Sequence, residues 1–242
     1  AQELPAARRV EELMAAGVVV VGVRDHDRIR PRDAFPEAQP CVLLRLHCCL
    51  DLRQGIQRFL DFVRIQVHVA PESVESEAFR TLRTTLAFSG QDMERIAVTS
   101  TEPGDGKTTV IANLAVSCAH AGKRTLLIDC DLRRPGLTKL FEMRGRGGVS
   151  EILRSDGDIA AMCDERVQAT GIEGLDILPC GPKPSNPAEL LSDTRLSDLL
   201  AWAETHYDQI LVDCPPILAA SDAAIVGRLT DSLILVVQPE KN

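Results

Sequence analysis

Five short apolar runs separated by helical stretches constrain this chain more than any other feature. They are RIAVTS from residue 95, RTLLIDCD from 124, LDILPCG from 175, DQILVDCPP from 208 and SLILVVQPE from 232. Each is almost continuously apolar rather than alternating, so each is expected to be a strand covered on both faces. Helical crossovers between such strands mean an α/β fold, a mostly parallel sheet with helices on either side. KTTVIANLAVSCAHAGK reads as one crossover helix, ending at Gly122. NPAELLSDTRLSDLLAWAETHY reads as another, with Asn186 as its cap, Pro187 at the first helical position and Glu189 three residues after the cap.

The first strand runs into TSTEPGDGKTT, residues 99–109. A phosphate-binding loop needs small residues that let backbone N–H groups turn onto an anion, and it must open a helix. Gly104 and Gly106 meet the first need, and the helix from Lys107 meets the second. Lys107 would place an ammonium on the β- and γ-phosphates, and Thr108 a hydroxyl on Mg²⁺. The strict G-x-x-x-x-G-K-[ST] spacing fails at its first position, which is Thr101.

Two other strands end in acids: LLIDCDLRRP carries Asp129, Asp131 and Arg133, and ILVDCPP carries Asp213. The carboxyl ends of parallel strands form the ligand crevice. One aspartate there would be an ordinary strand-end turn residue. Three beside a GKT loop are expected to make a Mg²⁺ site with Thr108, since Mg²⁺ takes hard oxygen ligands. No H-R-D loop, V-A-I-K strand, H-E-x-x-H or G-x-S-x-G competes with this reading.

Composition narrows the partners. The 242 residues carry a net charge of −8 and no long basic run, which argues against nucleic acid. Eight cysteines form no C-x-x-C pair, so they read as reduced thiols of a cytoplasmic protein rather than a zinc ribbon. No stretch reaches the ~20 apolar residues of a spanning helix.

Residues 1–70 form an N-terminal segment of unclear fold. AARRVEELMAAG reads as a helix, VVVVGV as a buried strand and residues 25–40 as a polar loop. His47 beside Cys48 and Cys49 lacks further ligands at a metal-site spacing. APES, residues 70–73, marks a boundary, and a second unit is expected over 71–242. It starts with the helix VESEAFRTLRTTLAF, where Ala78, Phe79, Leu82 and Leu86 share a face and Glu77, Arg80 and Arg83 lie on a polar flank. From spacing alone that flank is a solvated face with a Glu–Arg pair.

EPGDGKTT, LLIDCDLRRP and ILVDCPPIL together resemble the bacterial tyrosine kinases of capsular and exopolysaccharide synthesis and export, members of the P-loop NTPase superfamily. EAFRTLRT is similar to that family's E-x-x-R-x-x-R helix, and GVSEIL, SNPAELL and SDAAIVGR are similar to other family segments. The resemblance covers residues 71–242. It implies ATP-dependent phosphorylation of tyrosine-containing protein substrates, with ATP and Mg²⁺ required. It implies a Walker A loop of Gly104, Asp105, Gly106, Lys107, Thr108 and Thr109, with Arg133 also near the nucleotide. Asp129 and Asp131 would form Walker A′, one of them drawing the proton from a tyrosine hydroxyl, and Asp213 would be the Walker B acid. Glu77, Arg80 and Arg83 would then join subunits into a ring. A membrane activator or chain-length-determinant protein, or a segment not in this sequence, would hold the kinase at the inner face of the membrane. The family's tyrosine-rich tail is not found: Tyr207 is the single tyrosine, and the domain is expected to be cut short after Asn242. Two other readings stay open, a Min- or Par-like ATPase and a non-enzymatic nucleotide-binding regulator of an exporter. Glu102 stands where the Min and Par proteins carry a signature lysine.

Overall fold

The computed structural model describes residues 18–24, 44–47, 65–88, 93–143 and 147–237. The five expected strands are all present: β3 (Arg95–Ser100), β4 (Thr125–Asp129), β6 (Leu175–Leu178), β7 (Gln209–Asp213) and β8 (Ser232–Val237). Two more come from the N-terminal segment, β1 (Val18–Arg24) and β2 (Leu44–His47), and a two-residue strand, β5 (Gln168–Ala169), was not foreseen. They form one sheet in the order β2-β1-β8-β3-β7-β4-β6-β5. Its pairings are parallel except β5 with β6. Thus β1 and β2, from before residue 71, extend the same sheet beyond β8. The expected helix over 6–17, the loop over 25–40, and Cys41, Cys48 and Cys49 lie outside the described residues.

Strand periodicity divides the core in two. Ile96, Val98, Leu127 and Leu211 point to one face, where they meet α1 (Gln66–Val69), α2 (Val74–Ala87), α3 (Lys107–Ala119) and α4 (Gly136–Leu140). Ala97, Leu126, Ile128, Ile210 and Val212 point to the other. That face is covered by α5 (Val149–Arg154), α6 (Ile159–Arg166), α7 (Pro187–Leu191), α8 (Thr194–His206) and α9 (Asp222–Gly227). Because both faces are covered, neither can alternate with polar residues, which is why the strands read as unbroken apolar runs.

The helix starts follow their caps. Ser73 accepts from the Ser76 N–H and opens α2, where the APES boundary was expected. Phe79, Leu82 and Leu86 are buried as the spacing predicts, while Ala78 is only partly so. Gly122 takes a φ of 84° after α3, a left-handed conformation that glycine reaches without strain.

The expected helix over 186–207 is two helices. Asn186 and Pro187 do start α7, but the Asp193 backbone is extended and its carboxylate caps the Arg195 N–H at 3.0 Å, opening α8. An aspartate offers the chain this local bond in place of the helical ladder, and here that alternative wins.

Candidate functional site

The phosphate-type loop leaves β3 and enters α3 as the sequence requires. Gly104 and Gly106 have φ of 89° and 94°, so the loop turns where L side chains would be strained. No side chain caps α3 at Gly106, and the loop runs directly into the positive end of the helix. Asp105 does not face outward. It is buried, and its Oδ2 accepts from Thr101 Oγ1 at 2.6 Å and from the Glu102 N–H at 2.8 Å. The carboxylate therefore shapes the loop from within.

Strand order brings the acids to this loop. β7 lies between β3 and β4, so the exit of β7 is flanked by the phosphate-type loop on one side and by the exit of β4 on the other. Asp129 and Asp213 are register partners across β4 and β7. Lys107 reaches over these ends: its Nζ lies 3.0 Å from Asp131 Oδ2 and 3.0 Å from Asp213 Oδ1. Thr108 Oγ1 donates to Asp213 Oδ2 at 3.3 Å. Asp129 lies beside this group with its oxygens taken. Its Oδ2 accepts from Thr138 N at 2.8 Å and Thr138 Oγ1 at 2.7 Å, and its Oδ1 from the Asp131 N–H at 3.3 Å.

The electrostatics are unbalanced. Asp129, Asp131 and Asp213 are each no more than 2% exposed, and the one ammonium among them is Lys107. Burial pushes Asp213 up to about 7, with Lys107 pulling against it. Burial also raises Asp129, opposed by its bonds from Thr138. The carboxylates in turn hold Lys107 firmly protonated, against the burial that would lower it. Three buried acids against one base need a proton or a further cation, and a hard divalent ion suits such a donor set. Among the described residues no three acidic, histidine or cysteine side chains are grouped to hold a metal unaided. The fit therefore rests on Thr108 and Asp213 together with water and phosphate oxygens, as Mg²⁺ prefers.

The profile of a family described as an AAA domain matches residues 93–242. Tyrosine-protein kinase YwqD of Bacillus subtilis (strain 168) is 41% identical over 173 residues, which cover 71% of this chain and 71% of that protein. The chain belongs to the bacterial tyrosine-protein kinases. Tyrosine-protein kinase Wzc of Salmonella typhimurium is 40% identical over 185 residues, 76% of this chain and only 25% of that protein, so the chain spans about a quarter of that larger relative. The kinase domain of Escherichia coli tyrosine kinase ETK superposes with a TM-score of 0.66 at 37% identity, over 72% of this chain and 67% of that one.

In this tyrosine-kinase fold, Lys107, Thr108, Asp131 and Asp213 come together at the end of the loop that carries Gly104 and Gly106. Thr109 follows in the first turn of α3, partly buried, its carbonyl accepting from Asn113 Nδ2 at 2.9 Å. Lys107 is largely buried: its side chain is 11% exposed, and it neutralises two buried acids. Arg133, expected near the nucleotide, is engaged by Asp222, with Nε–Oδ2 at 2.9 Å and Nη2–Oδ1 at 3.0 Å. Thr138 and Asp222 went unnoticed in the sequence. Each stands on a short helix whose place beside the strand ends only the fold defines. The Glu77–Arg80–Arg83 flank is engaged within the chain: Arg80 pairs with Glu77 and the Pro71 carbonyl, and Arg83 donates to the Ser117 carbonyl and, at 3.2 Å, to Ser117 Oγ. Cys118, Cys130, Cys163, Cys180 and Cys214 are free, buried thiols pushed up by burial, which makes them poor nucleophiles. Among the described residues no helix is long and apolar enough to cross a membrane.

Proposed function

We propose that this chain transfers the γ-phosphoryl group of ATP to tyrosine hydroxyls of other proteins, in the setting of capsular or exopolysaccharide synthesis and export. The observation that carries this reading is Lys107, held between Asp131 and Asp213 at the mouth of an uncapped helix. Gly104, Gly106 and the first turn of α3 would receive the phosphates on backbone N–H groups. Lys107 would exchange its carboxylate partners for phosphate oxygens and neutralise charge on the transferring group. Mg²⁺, held through Thr108 and Asp213, would add neutralising charge to the phosphates when bound. Asp131, freed as Lys107 shifts, would accept the tyrosine proton while the phenolic oxygen bonds to phosphorus and the bond to the β-phosphate oxygen breaks. Asp129 suits that role less, because Thr138 already donates to its Oδ2 from both N and Oγ1. Family membership does not favour a Min- or Par-like switch or a non-enzymatic regulator.

Incubating the chain with Mg·ATP and a random Glu–Tyr copolymer tests this directly, with phosphotyrosine as the readout. Phosphate should appear on the copolymer and not on Tyr207. The Tyr207 hydroxyl donates to Asp176 at 2.9 Å, and the ring is half-buried at the end of α8. Burial, with Asp176 beside it, pushes its ionisation up, away from a reactive phenolate. Mass spectrometry finding Tyr207 as the main phosphosite would contradict the reading.

Assembly into a ring through Glu77, Arg80 and Arg83, and recruitment to the inner membrane face by an activator or chain-length-determinant protein, complete the proposal. Ring closure would exchange the internal contacts of Arg80 and Arg83 for carboxylates of a neighbour, which the guanidinium fork binds bidentately. Light scattering should give a multimer for the unaltered chain and a monomer for Arg80→Ala/Arg83→Ala. An unchanged mass in that double variant would leave the flank as a solvated helix face.

A further inference from the structure

We propose that Arg133 and Asp222 form a latch that positions Asp131, a role that rests on the kinase reading above. The last backbone rung between the exits of β4 and β7 is the bond from Cys130 N to Asp213 O, at 2.9 Å. Past it the two loops diverge. The β7 exit leans toward β3: Cys214 N donates to Val98 O at 2.9 Å, Ile217 N to Ser100 O at 2.8 Å, and Thr99 Oγ1 to Pro215 O at 2.7 Å. On the side of β4, Arg133 reaches across and grips the Asp222 carboxylate with both Nε and Nη2.

Asp222 opens α9 and is fully buried, whereas the Arg133 side chain is 43% exposed. The fixed point is therefore Asp222, and the residue it holds is the one on the loop. That loop is short and tightly wound. Two residues before Arg133, Asp131 Oδ1 accepts from the Arg134 N–H at 2.9 Å, and its Oδ2 faces Lys107. Fixing the Arg133 fork fixes the turn that orients Asp131. Only an arginine supplies two parallel bonds to one carboxylate, which sets direction as well as distance. A half-exposed pair of this kind is weak evidence for stability, because water screens the Arg133 end and desolvation of Asp222 offsets much of the attraction. Its use is to hold a neighbour in register. Arg133 and Asp222 are thus positioning residues, and neither needs to touch the nucleotide.

The experiment uses the full chain with Mg·ATP and the Glu–Tyr copolymer. Arg133→Lys keeps the charge and loses the fork. The double variant Arg133→Met/Asp222→Leu removes the buried charge altogether and keeps the volume. Both should fold, and both should lower kcat on the order of tenfold to a hundredfold, as displaced catalytic groups do, with KM for ATP within about twofold because Lys107 and the loop are untouched. Arg133→Met alone should melt lower than the double variant, since it strands the Asp222 charge. A wild-type kcat in either Arg133→Lys or the folded double variant overturns the latch. A parallel loss of ATP binding overturns it too, since that would place Arg133 on the nucleotide. If the unaltered chain shows no tyrosine phosphorylation at all, the kinase reading fails first and the latch falls with it.

Discussion

Lys107→Met should lower phosphoryl transfer by on the order of 10³-fold, the scale on which preformed charge stabilisation acts at such sites. ATP affinity should fall as well, because on the proposed reading the ammonium would contact phosphate in the ground state too. The variant also tests what the structure adds to a familiar loop. Lys107 bridges two buried acids, so its loss leaves Asp131 and Asp213 facing each other without a counter-charge. Breaking a buried pair by removing one partner costs roughly 3–5 kcal/mol. The carboxylates raise the lysine's proton affinity, so its stabilising contribution is present throughout the neutral range and is lost only in strong alkali. In Lys107→Met the deficit should be largest near pH 8 and should shrink toward pH 5, as Asp213 takes up a proton. Thermal melts across that range, with isothermal titration of ATP, check both halves. Unchanged ATP affinity and turnover would remove the phosphate-site reading.

Asp213→Asn should produce opposite effects on activity and stability. Turnover falls by about a hundredfold or more, as expected when a charged group at the transferring phosphoryl is removed. Stability above neutrality rises. The native Asp213 carboxyl is raised to about 7 by burial, whereas an unfolded aspartate titrates near 3.9. Between those values the native state holds a proton that the unfolded state has released. Linkage then makes the native state lose stability as pH rises from about 4 to about 7. A three-unit difference corresponds to at most ~4 kcal/mol. Asparagine has no charge to desolvate, and Lys107 keeps Asp131 as its partner. Unfolding in urea at pH 5 and pH 8 should show a smaller pH dependence for the variant than for the unaltered chain. An equal dependence in both proteins would mean that Asp213 is not the titrating group.

These two residues show how far sequence reading reaches. The apolar runs determined the strands because a sheet covered on both faces leaves no position for polar residues. The glycines and Lys107 determined a phosphate-type loop because few other structures need that order of small residues and base before a helix. Ser73, Asn186 and Pro187 announced their helices through local bonds or fixed torsions. Asp193 carried the same kind of signal, and its local bond from the Arg195 N–H splits the one expected helix into α7 and α8.

Tertiary structure alone decided the rest. Nothing in the order of the strands along the chain says that β7 sits between β3 and β4, and that placement is what sets Lys107 between Asp131 and Asp213. The pairing of Arg133 with Asp222, 89 residues away, is equally invisible in sequence. So is the use of the Asp129 oxygens by Thr138. Residue type reports what a side chain can do, through its charge, its donors and its torsions. Which partner it meets depends on long-range strand order, and that is settled by the burial of whole faces rather than by any local pattern.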